Sequence, residues 1–324
     1  MKRALILGSR GQDGELLTRH LTAREYHVVG VDRDSVDCSR GGSMPPVDVM
    51  DPASIHAFVR SFQPAEVYYL AAFHHSSQST DLLAPAAMWS TSFDIHVHGL
   101  INTLEALRDA AREARLFYAA SSLVFGEPDQ SPQTEAVPLN PQCVYGITKA
   151  AGSRVCGFYR KQYSIHAAVG FLYNHESHLR TEAFLSRKIV KTAVKIKHGE
   201  ADELVLGDLS AQSDWGYAPD YVDAMHRIVN LPGPDDFVVA TGRLHCVQDW
   251  VEAAFGALDL DWRRYCREDP SLITRRKRPL VGDSSKLRDR TGWRPATSFA
   301  DMVSIMVEME GAAHVKDACV HPNL

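Results

Sequence analysis

Ala4-Leu5-Ile6-Leu7-Gly8-Ser9-Arg10-Gly11-Gln12-Asp13-Gly14 joins a short apolar run to three glycines at three-residue spacing, and an amphipathic stretch follows through Arg24. That succession predicts a strand, a tight turn and a helix. Without side chains at Gly8 and Gly11 the backbone can approach a pyrophosphate at the helix N-terminus, and Gly14 lets helix and strand pack closely. Taken alone, the motif is also an ordinary glycine turn. Its place at the first strand of the chain favours a dinucleotide loop, with Gln12 and Asp13 among its contacts. A second strand-like run, His27-Val28-Val29-Gly30-Val31, ends in Asp32, eighteen residues past Gly14. A carboxylate there accepts hydrogen bonds from an adenosine ribose 2′-hydroxyl, which favours NAD; Arg33 beside it could pair with a phosphate and leaves NADP open.

The same alternation continues down the chain. Val47-Asp48-Val49 before Asp51-Pro52 reads as a third strand leading to a helix N-terminus, and Glu66 to Ala72 as a fourth strand with small residues at its carboxyl end. Ligands in open α/β sheets bind beyond those ends, which directs Asp48 and Val49 to an adenine and Leu70, Ala71 and Ala72 to the middle of a dinucleotide. Close packing explains the two alanines equally well. A long helix through His98 to Ala114 precedes a fifth strand, Leu116 to Ala120, that ends at Ser121-Ser122. After a helix from Tyr145 to about Tyr163, Ala167 to Leu172 forms a sixth, with Leu172 a further candidate dinucleotide contact. The expected fold is α/β: a Rossmann, doubly wound parallel sheet with a smaller C-terminal α/β substrate-binding lobe. Residues 1–172 form the first domain, segments around 214–245 return to it, and 173–324 make an interwoven second lobe, since no repeat or long linker separates them.

With 324 residues, 45% hydrophobic and 23% charged, the chain can bury a full core. A net charge of -5 gives no electrostatic argument for nucleic acid or an anionic membrane. Six cysteines without a Cys-x-x-Cys pair argue against a disulfide framework and fit reduced cytosolic thiols. Fifteen histidines include the neighbours His74-His75 and the alternating His96 and His98, yet none has metal-ligand spacing, so no metal is expected. No long apolar run suggests a membrane span. The expected location is the cytoplasm.

Tyr145-Gly146-Ile147-Thr148-Lys149 places a phenol and an ammonium four residues apart on one helix face. There the cation can hold the phenol oxygen near ionisation, so that it serves as base or acid toward a substrate hydroxyl. The spacing alone is common on ordinary helices. Ser121, twenty-four residues upstream at a strand end, could hold the same substrate oxygen, although a strand-end Ser is usually a turn residue. Four prolines between Glu127 and Gln142 mark a surface loop over this region. From about Tyr173 polar and basic groups accumulate, as suits a lobe gripping an anion. Arg187 and Lys188 are candidates for that grip, while a solvated helix face accounts as well for Lys188, Lys191, Lys195 and Lys197. Arg275, Arg276, Lys277 and Arg278 form either a phosphate clamp or a basic loop.

With these pieces assembled, the chain resembles the extended short-chain dehydrogenase/reductases that modify nucleotide sugars, and within them the GDP-mannose 4,6-dehydratases. The glycine loop, Tyr69 to Ala72, Pro141 to Lys149, Phe171 to Ser177, Ser186 to Ile189, Asp214 to Val222, Val239 to Gly242 and Gly292 to Pro295 carry the resemblance in order along nearly the whole chain. Asn174-His175-Glu176-Ser177 with Asp214-Trp215-Gly216 is far more specific than the glycine loop or Tyr-x-x-x-Lys. The resemblance implies a bound nicotinamide dinucleotide, a GDP-sugar substrate and a homodimer or homotetramer. In that family the Tyr takes the proton of the sugar 4-hydroxyl while hydride passes to the cofactor. The 4-ketone then acidifies C5, a carboxylate assists loss of water across C5 and C6, and hydride returns to C6. By position, Tyr145 is the base, Lys149 its electrostatic partner and ribose ligand, and Ser121 the accompanying hydroxyl. The expected substrate contacts are His75, Ser122, Leu123, Asn174, Glu176, Arg187, Lys188, Trp215, Arg276 and Arg278.

One departure bears on the reaction. The family has Thr-Ser-Glu where this chain has Ser121-Ser122-Leu123, so an apolar side chain stands where the carboxylate is expected. Gln-Ser-His becomes Phe73-His74-His75, and the basic residue before Asp-Trp-Gly becomes Ser213. Three accounts follow: a dehydratase in which His74, His75 or Glu176 moves the proton, a C4 epimerase or 4-keto reductase needing only hydride and the Tyr proton, or a non-catalytic cofactor-binding protein.

Overall fold

The computed structural model describes residues 1–32, 35–39, 47–73, 84–273 and 278–320, without the side chains of 35 and 316–320. The elements in order are β1 (Arg3–Leu7), α1 (Gln12–Thr22), β2 (His27–Asp32), β3 (Ser35–Cys38), α2 (Pro52–Phe62), β4 (Glu66–Tyr69), α3 (Pro85–Phe93), α4 (Gly99–Ala110), β5 (Arg115–Ser121), α5 (Val144–Tyr163) and β6 (His166–Leu172). There follow β7 (Asn174–Glu176), α6 (Leu185–Lys197), β8 (Leu204–Leu206), β9 (Gln212–Tyr217), α7 (Ala218–Val229), β10 (Asp236–Val239), β11 (Leu244–Cys246), α8 (Val247–Gly256), β12 (Cys266–Glu268), α9 (Ser285–Thr291) and α10 (Phe299–Val320).

Seven strands form one sheet in the order β3-β2-β1-β4-β5-β6-β10, parallel throughout except for β3, which runs antiparallel to β2 at the edge. Such strands are buried on both faces and read as apolar runs. One face is covered by α2, α4 and α5 through Ile55, Phe58, Leu100, Leu104, Cys156 and Tyr159. The other is covered by α1 and α7 through Leu16, Leu17, Leu21, Tyr221, Met225 and Ile228. This is the doubly wound arrangement expected from the sequence. A second lobe has its own core, in which α6, α8 and α10 bury Ile189, Val190, Trp250, Val251, Met302 and Met306. Two small sheets, β11-β9-β7 and β12-β8, belong to the second half of the chain.

Two local expectations fail. Val47-Asp48-Val49 is not a strand: Asp48 Oδ1 accepts the Met50 N–H and the Asp48 N–H donates to Ser54 Oγ, folding the segment onto the start of α2. The helix start itself is where the sequence put it, with Asp51 capping Ala53 N–H and Pro52 in the first turn. The helix expected to run to Ala114 ends at Ala110. The 127–142 loop, expected at the surface, is partly built in. Gln133 is fully buried and exchanges backbone hydrogen bonds with Val281 and Asp283, and Glu135 accepts the Val238 N–H.

At the end of the sheet opposite the ligand edge, Glu66 is 1% exposed and accepts from Tyr26, Tyr68 and Lys2. The donor chain extends outward, because the Tyr26 oxygen accepts from His226 Nε2 at 3.1 Å and His226 Nδ1 from His20 Nε2 at 3.2 Å. Both imidazoles are neutral in this chain. Protonating His226 would turn its Nδ1 into a donor facing a donor. Burial depresses His20 to about 4 and lowers His226 as well. The unfolded chain therefore binds these protons first, and stability present above about pH 6.5 is lost as pH falls toward 4. We expect the urea midpoint to fall over that interval and His20→Gln to flatten the decline. An unchanged slope in that variant would remove His20 from the account.

Candidate active site

The glycine loop meets the ligand edge of the sheet at very short range. Gly8 has φ +90°, and its N–H donates to Val31 O; a Cβ there would lie 2.7 Å from Ala71 N. At Gly14 a Cβ would lie 2.4 Å from Gly8 O, so neither position admits a side chain without moving backbone. Gly11 differs, since its Cβ would meet only Gly8 O at 3.6 Å and would enter open space at the N-terminus of α1. Ser9 Oγ is buried against Gly30 of β2 and has no hydrogen-bond partner among the described residues. Asp32 accepts the Arg10 N–H at 3.1 Å, and the Arg10 guanidinium stands 3.7 Å from Asp37. Leu70, Ala71 and Ala72 continue past the end of β4, and Leu172 is buried at the end of β6. Asp48 is exposed, while the Val49 carbonyl accepts from Asn102.

Cys143 caps α5 and sets Tyr145 in its first turn, one turn before Lys149. Lys149 is 1% exposed; its Nζ donates to Ala119 O at 2.8 Å and lies 5.7 Å from the Tyr145 ring centroid. Burial depresses the Lys149 ammonium to about 7, against the pull of Asp13. Burial also pushes Tyr145 up to about 12, and the cation that opposes this is Arg180. The protein alone thus keeps the phenol protonated, contrary to the expectation that Lys149 holds it near ionisation. His96 packs edge-on to Tyr145 at 5.2 Å. Thr148 donates to the carbonyls of Val144 and Tyr145, so its oxygen accepts from His96 Nδ1, while His96 Nε2 accepts the Phe73 N–H. Ser121 is half-buried, and its Oγ accepts the Leu123 N–H; Ser122 is buried and Leu123 half-buried.

The second lobe reaches this edge through β7. His175 Nε2 lies 2.9 Å and 3.0 Å from the two Asp13 oxygens, its Nδ1 donates to Tyr173 O, and its ring stacks on Tyr221 at 4.6 Å. Gln12 donates to His175 O and accepts from Ser177 Oγ. Glu176, 3% exposed, accepts from Ser186 Oγ at 2.6 Å and lies 3.3 Å from Arg180, whose guanidinium covers the Phe184 ring. Asn174 is exposed and donates to Ser213; Lys188 donates to Val205 O of β8; Arg278 is exposed. Two expected substrate residues face elsewhere. Trp215 packs edge-on against Trp250 and beside Phe299 in the second core, and Arg187 is tied to Glu310 of α10 at 2.6 Å. Arg33, His74, His75 and Arg276 lie outside the described residues. Arg180 was not singled out in the sequence; its spacing of four from Glu176 signals a partner only on a helix, and here a turn brings the two together.

The family model described as GDP-mannose 4,6 dehydratase matches residues 5–306. The chain belongs to that family. Curated relatives of that name include the second enzyme of Arabidopsis thaliana, 35% identical over 95% of this chain and 86% of the relative, and that of Homo sapiens, 30% identical over 95% and 91%. RMD from Pseudomonas aeruginosa complexed with NADPH shares the fold with a TM-score of 0.83 at 18% identity, covering 97% of this chain and 100% of that one. UDP-glucose 4-epimerase from Thermus thermophilus, in complex with NAD, gives 0.81 at 22% over 96% and 99%.

Within this GDP-mannose dehydratase family chain, the Asp214-Trp215-Gly216 motif is a joint between lobes. Asp214 on β9 is fully buried and accepts from Thr241 N–H and Oγ, Gly242 N–H and Gly282 N–H. Burial raises its pKa, and those four donors oppose the rise. Asp214→Ala leaves the N–H groups of Thr241, Gly242 and Gly282 without their acceptor, the last of them buried, and we expect a loss of roughly 2–4 kcal/mol in urea unfolding. A loss within roughly 1 kcal/mol would mean that water or a local shift replaces the carboxylate.

Proposed function

We propose that the protein is a nicotinamide-dependent GDP-sugar 4,6-dehydratase acting on GDP-mannose or a close analogue. The observation that carries this reading is the meeting of Tyr145, Lys149 and Ser121 with the glycine loop and the Asn174-His175-Glu176-Ser177 strand at one edge of the sheet, in a chain of this family. The cradle fits a dinucleotide: among the described residues nothing but Gly8 O would stand within 4 Å of a Cβ at Gly11, which leaves space at the N-terminus of α1, and the neighbouring Ser9 hydroxyl, buried against Gly30, has no partner there. Gly8, Gly11, Gln12, Asp13 and Gly14 would receive the pyrophosphate. Leu70, Ala71, Ala72 and Leu172 would line the nicotinamide half, and Asp48 and Val49 the adenine. Asp32 favours NAD, and the Arg10 guanidinium that could meet a 2′-phosphate already faces Asp37. When bound, the nicotinamide accepts and returns a hydride and, oxidised, carries a positive charge.

Tyr145 then removes the proton of the sugar 4-hydroxyl, and Ser121 orients the same oxygen. Lys149, titrating at about 7, supplies a positive charge beside the phenol that is full below about pH 7 and lost above it. Oxidation at C4 acidifies the C5 proton, and loss of water requires a group to carry it. Leu123 has none. Glu176 is committed to Ser186 and Arg180, which leaves His74 and His75 for that step. A second reading, C4 epimerisation or 4-keto reduction, is favoured by Leu123 alone, since it needs only hydride and the Tyr145 proton. We further infer a homodimer or homotetramer in the cytoplasm. Trp89 and Phe158 are exposed on the neighbouring helices α3 and α5, and the five cysteines whose side chains are described are free thiols.

Incubation with NAD and GDP-mannose should yield a product lighter by one water in mass spectrometry. Unchanged mass with inverted C4 selects epimerisation, and reaction only of a 4-keto sugar with added NAD(P)H selects reduction. Tyr145→Phe should lower kcat by roughly 100- to 10,000-fold. Full activity in that variant would sink the assignment of the proton transfer.

A further inference from the structure

A carboxylate accepts hydrogen bonds and cannot donate them. His175 has an acceptor at each ring nitrogen, the Tyr173 carbonyl at 2.7 Å from Nδ1 and the Asp13 carboxylate at 2.9–3.0 Å from Nε2. Both contacts are satisfied only when both nitrogens carry protons, so the geometry describes an imidazolium. His175 is 8% exposed and its ring lies flat on Tyr221, a face that attracts a cation.

Asp13 sits in the first turn of α1, at the helix end that receives the anionic pyrophosphate of a dinucleotide. A bare carboxylate there would repel that group. An imidazolium cancels the charge and also ties the loop to β7, the strand by which the second lobe reaches the site. We propose that Asp13 and protonated His175 form a proton-dependent latch that joins the dinucleotide loop to the substrate lobe and sets dinucleotide affinity. This rests on the dinucleotide reading of the glycine loop.

Other groups face the pair. Arg180 acts on both members, Lys149 and Tyr145 of α5 act with Asp13, Gln12 donates to Asp13, Tyr221 of α7 stacks on the ring, and Glu176 follows on the same strand. Asp13 holds the His175 pKa above its ordinary value despite burial, and His175 holds Asp13 below its own. The latch therefore persists to higher pH than a free imidazolium would and opens as pH rises through the elevated His175 pKa. Lys149 titrates in the same interval, so the latch is the part of a pH profile that changes at Asp13 and His175 remove.

The test is the dissociation constant for NADH, by titration calorimetry from about pH 6 to about pH 9.5, in the wild type, Asp13→Asn, His175→Gln and the double variant. Wild-type affinity should fall with rising pH by about tenfold for each unit by which binding raises the His175 pKa. An Asn at 13 can turn its NH2 toward a neutral ring, so Asp13→Asn should bind well at high pH with a flatter profile. His175→Gln should bind weakly throughout, and the double variant should recover, because the uncancelled carboxylate is gone. Reciprocally, NADH should raise the His175 pKa followed by NMR through its Cε1–H, identified as the resonance absent from His175→Gln. A wild-type slope retained in Asp13→Asn, or a double variant as weak as His175→Gln, overturns the latch alone. Wild-type protein that binds neither NADH nor NADPH overturns the dinucleotide reading and the latch with it.

Discussion

The close approach of the glycine loop to the end of β4 fixes where everything else can lie. A Cβ at Gly8 or Gly14 would sit 2.7 Å or less from backbone atoms, so α1 starts against the sheet edge with no side chain between them. That contact orients the helix so that Leu16, Leu17 and Leu21 cover one face while its N-terminus opens at the ligand edge. It also brings Gln12 and Asp13 within reach of a strand some 160 positions later in the chain. The opposite face is closed by α5, which delivers Tyr145 and Lys149 to the same edge.

Two polar contacts link the sheet to the second half of the chain. One is the Asp13–His175 pair with its neighbours Gln12 and Ser177; the other is Asp214, buried and supplied with four donors. Buried charges of this kind add little net stability compared with apolar packing, but they are costly to misplace. They suit a joint that must hold a particular geometry. Both joints draw on the short motifs that make the chain recognisable as a member of its family. The distinctiveness of those motifs has a physical reason: each supplies one half of a contact whose other half lies far away in sequence.

The sheet was legible because parallel strands buried on both faces read as plain apolar runs, as from Ala4 to Leu7 and from Ala167 to Leu172. Helix starts were legible where a cap and a proline coincide, as at Asp51-Pro52. Val47 to Val49 misled because an apolar-polar-apolar triplet has strand alternation, while the hydrogen bonds that bend it come from Met50 and Ser54. Trp215 misled for a different reason. It was expected at the substrate because it stands in a motif shared with the family, yet strand alternation points it into the second core beside Trp250. Arg187 was read as a free cation because its partner, Glu310, lies more than a hundred residues away. The ionisation of Tyr145 was the hardest to foresee, since it depends on burial and on Arg180, and neither follows from a spacing of four.

Leu123 divides the chemistry of the site into a part that is complete and a part that is displaced. Its main chain keeps a structural role, because its N–H donates to Ser121 Oγ and its carbonyl lies so close to Gly146 that a Cβ there would stand 2.5 Å away. The turn that sets the first residues of α5 is therefore independent of which side chain stands at 123. Losing a carboxylate at that position removes a proton carrier from the pocket and leaves Tyr145, Lys149 and Ser121 in place. Oxidation and elimination are thus separable in this fold, because one depends on a helix and a strand end and the other on a single side chain. Elimination can move to another residue at the pocket rim without disturbing the frame that carries oxidation. Of the described acidic groups near that rim, Glu176 is held by Ser186 and Arg180 and Asp13 by His175, so neither is available to take it over. For the proposed dehydration the sequence offers the histidines that follow Phe73 as proton carriers, and these lie outside the described residues.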